Sequence, residues 1–206
     1  ISIRSFLIGS ISEGVSLVKN VLESEDIYST INCLRKLNIK ILNTGKKTYK
    51  IFGKGLGAFN TKNTSKLDFG NSGTLARLII GIISSTPNIN LKIFGDKSLN
   101  KRSMKKLIDL MRKFGAFFLP KTRFNFPLKL ISSQMPVGIN YNAGVSAQLK
   151  SAVLLAGLNS YGTTVINETQ KSRDHTENML LKNNHVIKIK NKKRKTIQIL
   201  GKKYLN

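Results

Sequence analysis

The chain has 206 residues, 40% of them apolar, which is enough for a core and excludes wholesale disorder. Its longest apolar run, Ala152–Leu158, has seven residues, far short of the roughly 18–20 a membrane span needs. A single cysteine, Cys33, excludes an internal disulfide and any multi-thiolate metal site.

The formal charge of +25 admits nucleic acid as a partner, but its distribution argues otherwise. The excess is lysine, twenty-seven against eight arginines, spread among Asn and Ile as on a drifted, solvated surface. Attraction of small anionic substrates fits it as well. Cys33, in Ile31-Asn32-Cys33-Leu34, reads as a buried helix residue, and a reducing cytoplasm suits it.

In chain order, apolar periodicity predicts a helix over Ser5–Ser12, a strand over Ser16–Val21 and a helix over Ile27–Leu37. A strand pair follows, Ile39–Leu42 with Tyr49–Phe52. The order then recurs: helix Gly73–Ile83, strand Asn90–Phe94, helix Lys105–Phe114, and the pair Ala116–Leu119 with Leu128–Ile131. It recurs once more: helix Ser146–Leu158, strand Thr163–Asn167, helix Thr176–Lys182, and His185–Ile189 with Thr196–Leu200. Within that last pair, Lys188–Lys195 alternates with Ile before the turn-like Asn191-Lys192-Lys193-Arg194, as in a basic hairpin. The repeat length is roughly 70 residues, giving units of about 1–60, 61–135 and 136–206. Helices Gly73–Ile83 and Ser146–Leu158 are nearly apolar all round and are expected to be buried. The fold class is therefore α+β, one domain with helices inside and strands outside.

The loops entering the helices carry the distinctive residues. Leu67-Asp68-Phe69-Gly70-Asn71-Ser72-Gly73-Thr74 runs into a helix, so free N–H groups and the positive helix end can face an anion. Val145-Ser146-Ala147-Gln148 opens the third unit in the same way, and a serine there also serves as an ordinary N-cap. Gly95–Arg102 and Lys171–Glu177 precede the second helices of their units. Four of the scarce arginines, Arg4, Arg77, Arg102 and Arg173, fall at these entrances. A guanidinium grips carboxylate and phosphate through two parallel bonds, which lysine does not. His175 reads as a structural helix-start residue rather than a base or ligand. Asp174 and Glu177 read as favourable charges at a helix N-terminus.

In order and spacing, L-D-F-G-N-S-G-T-L-A-R-L, G-D-K-S-L-N-K-R-S-M, V-S-A-Q-L-K-S-A-V-L-L-A-G-L and S-R-D-H-T-E-N-M-L resemble the signatures of the EPSP synthase family. Ile1-Ser2-Ile3-Arg4-Ser5 resembles the end of that family's opening K-S-I-S-H-R motif, whose Lys and Ser have no counterpart here. Ile3 and Ser103 depart from the family's usual His or Asn and Pro. The resemblance covers essentially the whole chain. It implies an enolpyruvyl transferase domain of three βαβαββ-type units, an inside-out α/β barrel, with the active site facing a second domain that this sequence lacks.

For function, the resemblance implies transfer of the enolpyruvyl group of phosphoenolpyruvate to the 5-hydroxyl of shikimate-3-phosphate, in the shikimate pathway of aromatic amino-acid biosynthesis. It implies Arg4 at the shikimate carboxylate and Ser146, Ala147, Ser172 and Arg173 at the 3-phosphate, with Gln148 touching both substrates. Asn71, Gly73 and Thr74 are implied at the floor of the phosphoenolpyruvate pocket, with Arg102 as its clamp. No metal and no cofactor are implied, and the full-length enzyme is expected to be a cytoplasmic monomer without nucleic-acid or membrane partners. The catalytic acid and base groups are expected on the other domain, leaving this half inactive alone. Two alternatives stand beside this reading. An enolpyruvyl transferase acting on UDP-N-acetylglucosamine would carry a reactive loop cysteine in the middle unit. A basic nucleic-acid module would expose aromatics such as Tyr49 or Phe124–Phe126 beside its lysines.

Overall fold

Ser24, in extended conformation, opens a helix whose first turn holds Glu25 and Asp26 and whose last holds Arg35 and Lys36, charges that suit each end of its dipole. The computed structural model, which describes residues 1–191 and 195–206, numbers this helix α2 (Glu25–Lys36). It follows α1 (Ser2–Ile11) and β1 (Glu13–Val18) and precedes β2 (Lys40–Gly45) and β3 (Thr48–Lys54). The middle of the chain forms β4 (Lys66–Asp68), α3 (Gly73–Ser85), β5 (Asn90–Phe94), α4 (Lys97–Lys101), α5 (Lys105–Lys113), β6 (Phe117–Leu119) and β7 (Leu128–Ile131). The remainder forms β8 (Asn140–Ala143), α6 (Ala147–Leu158), β9 (Thr163–Glu168), α7 (His175–Leu180), β10 (Ile187–Asn191) and β11 (Lys195–Leu200).

The strands make three separate sheets, ordered β1-β3-β2, β4-β5-β7-β6 and β10-β11-β9-β8. In the second and third sheets a strand absent from the periodicity, but present in the βαβαββ unit the resemblance implies, β4 or β8, pairs parallel with the strand that follows the buried helix. At three and four residues these strands are too short for an alternation to register. The short helix α4, capped by the Asp96 carboxylate on Leu99 N–H, was not anticipated either.

Helices α3 and α6 bury nearly all their residues, as their apolar sequences require. They lie side by side and run the same way. Their first turns meet where Gln148 Nε2 donates to Thr74 Oγ1 at 2.9 Å, and further along Gly81 faces Ala152. A Cβ on Gly81 would lie 2.4 Å from the Ala152 carbonyl oxygen, so only glycine admits this separation. Arg4 of α1 reaches Ser151 of α6. The three buried helices thus begin at one end of the molecule.

Several boundaries differ from expectation. The strand expected over Ser16–Val21 runs from Glu13 to Val18: its Val15 and Leu17 point to solvent, so its apolar residues give no inward alternation, while buried Val21 lies beyond it. The last helix ends at Leu180 rather than Lys182. His185 precedes β10 instead of lying in it, and stacks on Tyr204 while its Nε2 bonds the Tyr204 carbonyl. The arms of the basic hairpin pair as β10 and β11, and positions 192–194 of its turn lie outside the described residues. No helix among the described residues is long and apolar enough to cross a membrane.

Candidate functional site

The α3 entrance is built from Gly70-Asn71-Ser72-Gly73-Thr74. Gly70 adopts a positive φ of 56°, which turns the chain, and Ser72 Oγ accepts the Leu75 N–H at 3.2 Å to start the helix. Two guanidinium groups converge on Gly73. Arg77 NH1 donates to the Gly73 carbonyl at 2.9 Å, and Arg102 NH2 donates to Asn71 Oδ1 at 2.9 Å. Burial lowers the Arg77 pKa, and the positive charge of Arg102 beside it lowers it further. Two arginines held together at a helix N-terminus, neither ion-paired to a carboxylate among the described residues, can receive an anion.

The α6 entrance has the same form: Ser146 Oγ accepts the Leu149 N–H at 3.3 Å. Ala147 and Gln148 follow in the first turn, half-buried, and Gln148 bridges to Thr74 at the α3 entrance. Ser151, one turn on, donates to the Ala147 carbonyl at 2.7 Å and lies 2.7 Å from Thr176 Oγ1. Arg4 is buried and donates through Nε to Thr176 at 2.8 Å and through NH2 to Ser151 at 3.3 Å. Burial lowers the Arg4 pKa, the nearby Arg173 lowers it further, and Glu177 opposes them. Arg173 itself is exposed, and Ser172 beside it is half-buried.

The structure therefore gathers Arg4, Ser146, Ala147, Gln148, Ser172 and Arg173 around the α6 and α7 entrances, and Asn71, Gly73, Thr74 and Arg102 around that of α3. Arg77, named in the sequence only as an entrance arginine, belongs with the second group. Its i,i+4 spacing from Gly73 was the available signal.

Asp174 lies at a helix N-terminus as expected, whereas the Glu177 side chain is used otherwise. Asp174 stands at the N-cap of α7 without a side-chain capping bond. Glu177 is fully buried, 2.6 Å from the ammonium of Lys150, itself fully buried in α6. Glu177 is one partner of an interior ion pair instead of a surface charge at the helix end. His175 opens α7 as expected, and among the described residues no group of three or more His, Cys, Asp or Glu could hold a metal.

The features that the alternatives call for take other roles. Cys33 is buried in α2, its Sγ 3.1 Å from the Asp68 carbonyl, and burial pushes its thiol up to about 12, the reverse of an activated nucleophile. Tyr49 is buried with its hydroxyl donating to Glu23 at 2.7 Å, Phe126 is buried, and Phe124 is half-buried beneath the Lys105 ammonium.

Fold and site together define an α+β domain in which buried helices present arginine, serine and glycine at a common end. A family model for EPSP synthase (3-phosphoshikimate 1-carboxyvinyltransferase) matches residues 1–206. A 3-phosphoshikimate 1-carboxyvinyltransferase of Bacillus velezensis is 44% identical over 182 residues, covering 87% of this chain and 42% of the relative. That of Bacillus subtilis is 42% identical over 181 residues, with the same coverage. A solved EPSP synthase from Acinetobacter baumannii superposes with a TM-score of 0.88 at 33% identity, covering 99% of this chain and 46% of that one. The chain belongs to the EPSP synthase family. It spans well under half the length of the curated relatives it matches.

Proposed function

We propose that this chain is the substrate-binding half of a 3-phosphoshikimate 1-carboxyvinyltransferase, in three units of about 1–60, 61–135 and 136–206. The carrying observation is the convergence of three buried helix N-termini with Arg4, Arg77, Arg102 and Arg173 at one end. Helix ends and guanidinium groups suit two small anions held close together.

In this reading Ser146, Ala147, Ser172 and Arg173 hold the 3-phosphate of shikimate-3-phosphate, and Arg4 its carboxylate. Asn71, Gly73, Thr74, Arg77 and Arg102 hold phosphoenolpyruvate, and Gln148, already bonded to Thr74, touches both. The shikimate 5-hydroxyl adds to C2 of phosphoenolpyruvate, giving a tetrahedral intermediate that then loses phosphate. This half contributes orientation and stabilisation of anionic charge. The proton-transfer groups belong to a second domain of the same enzyme. Substrates and domain meet in a cytoplasmic monomer that needs no cofactor; the buried, unpaired Cys33 suits a reducing compartment.

The test is calorimetric titration of the chain with shikimate-3-phosphate, then with an oligonucleotide at two salt concentrations, alongside a phosphate-release assay with phosphoenolpyruvate. Saturable, weak shikimate-3-phosphate binding without turnover is expected. Steady product formation would show that the half is active alone. Salt-dependent oligonucleotide binding without shikimate-3-phosphate binding would overturn the assignment.

A further inference from the structure

Helix α6 is apolar throughout its buried length except for Ser151 and Lys150, whose side chain is fully buried. The Lys150 ammonium lies 2.7 Å from Glu168 Oε1 at the end of β9 and 2.6 Å from Glu177 Oε1 in α7. Both carboxylates are buried, and among the described residues neither oxygen of Glu177 accepts a hydrogen bond, so its tie to Lys150 is one of charge alone. Lys195 approaches the same two carboxylates from the solvent side, at 3.5 and 3.8 Å. One buried ammonium thus ties a strand end and a helix to the helix that carries it.

The segment between the two carboxylates is the loop that holds Ser172 and Arg173. Ser172 donates both its backbone N–H and its hydroxyl to Glu168 Oε1, each at 2.9 Å. Burial pushes the Glu168 carboxyl up, but the Lys150 ammonium and the two Ser172 bonds outweigh this and hold it at about 2, so Glu168 is an ionised acceptor. Beside Glu177, Thr176 accepts from Arg4 and shares a hydrogen bond with Ser151. The ion cluster therefore sets both the Ser172 backbone and the first turn of α7.

Stability alone does not account for such a cluster. Withdrawing charges from water costs about as much as their attraction returns, and apolar side chains of similar volume commonly serve as well or better. What apolar groups do not supply is a fixed, charged acceptor for the Ser172 N–H and hydroxyl.

We propose that Lys150 is a positioning residue: by anchoring Glu168 and Glu177 to one ammonium, it holds Ser172 and Arg173 in place for the ligand phosphate before that ligand arrives. This rests on the phosphate role given above to Ser172 and Arg173, and extends it to a residue that touches no substrate.

The test compares the chain with a triple variant, Lys150→Met with Glu168→Leu and Glu177→Leu, which replaces the cluster by apolar groups. Melting, hydrogen exchange at the Ser172 amide and titration with shikimate-3-phosphate are measured. The melting temperature should stay within a few degrees, while Ser172 exchanges about tenfold faster and binding weakens about tenfold, the loss of one charge-assisted bond. A folded triple variant with unchanged Ser172 exchange and unchanged affinity overturns the proposal.

Should the triple variant fail to fold, Glu168→Gln alone decides. Faster Ser172 exchange with weaker binding supports positioning, and no change in either refutes it. If the unsubstituted chain binds no shikimate-3-phosphate, the phosphate assignment fails, and Ser172 exchange still decides what Lys150 does.

Discussion

Arg77 and Arg102 bring their guanidinium groups together over Gly73, where an added Cβ would lie 2.8 Å from one NH1 and 3.1 Å from the other. Both are the ends of flexible side chains, so a methyl group there displaces them without breaking the fold. In the full-length enzyme, Gly73→Ala should raise the apparent KM for phosphoenolpyruvate by about ten- to a hundredfold, the worth of one charge-assisted hydrogen bond. Affinity for shikimate-3-phosphate should barely move. Helix propensity favours alanine by up to about 1 kcal/mol, so melting should show no loss. Unchanged kinetics would reduce Gly73 to a turn residue.

The second prediction concerns the α6 entrance. Arg173→Ala with Ser146→Ala should weaken shikimate-3-phosphate binding by roughly two orders of magnitude or more, at about 1.5–3 kcal/mol for each lost charged contact. Ser146 also caps α6 through the Leu149 N–H, so the pair should lower stability by about 1 kcal/mol while the far-UV spectrum holds. Calorimetry and chemical denaturation separate the two effects. Retained affinity would remove these residues from the phosphate site.

A third expectation follows from Glu168. Its carboxyl is held at about 2 against an ordinary value of 4.5, so its ionised form stabilises the fold above the ordinary value. That contribution should fade as pH falls from about 5 towards 2. Melting temperatures across this range should drop in the unsubstituted chain and drop less steeply in Glu168→Gln. Parallel curves would mean that other carboxylates govern acid unfolding.

Cys33 provides a fourth. Buried, with its thiol pushed up to about 12, it should resist a disulfide reagent at pH 8 and react fully in denaturant. Labelling under native conditions then reports opening of α2. Rapid labelling of the folded chain would contradict the packing around Cys33.

Much of this was legible in the residues. The runs in Gly73–Ile83 and Ser146–Leu158 are apolar on every side, and a helix of that kind has nowhere to lie but inside. Arginine against a lysine-rich background marked the helix entrances. Lys150 and Glu177 were illegible for a related reason: composition argues that a lysine or glutamate faces water, and only the fold shows that theirs meet each other. The register of β1 was hidden because Val15 and Leu17 face solvent, against the usual inward placement of apolar residues.

The contact between Gly81 and Ala152 bears on more than packing density. With no side chain between the two backbones there, α3 and α6 have no room to slide or splay, and Thr74 with Gln148 latches their starting turns. The two helices form a fork whose tines end at the two proposed substrate sites. Its gauge is set by the bare Gly81 Cα, and in the proposed function that spacing fixes how near the two substrates come. Gly81→Ala would widen that gauge, because its Cβ meets a carbonyl oxygen that cannot swing aside. Each ligand would still find its own site, and the pair would meet out of reach.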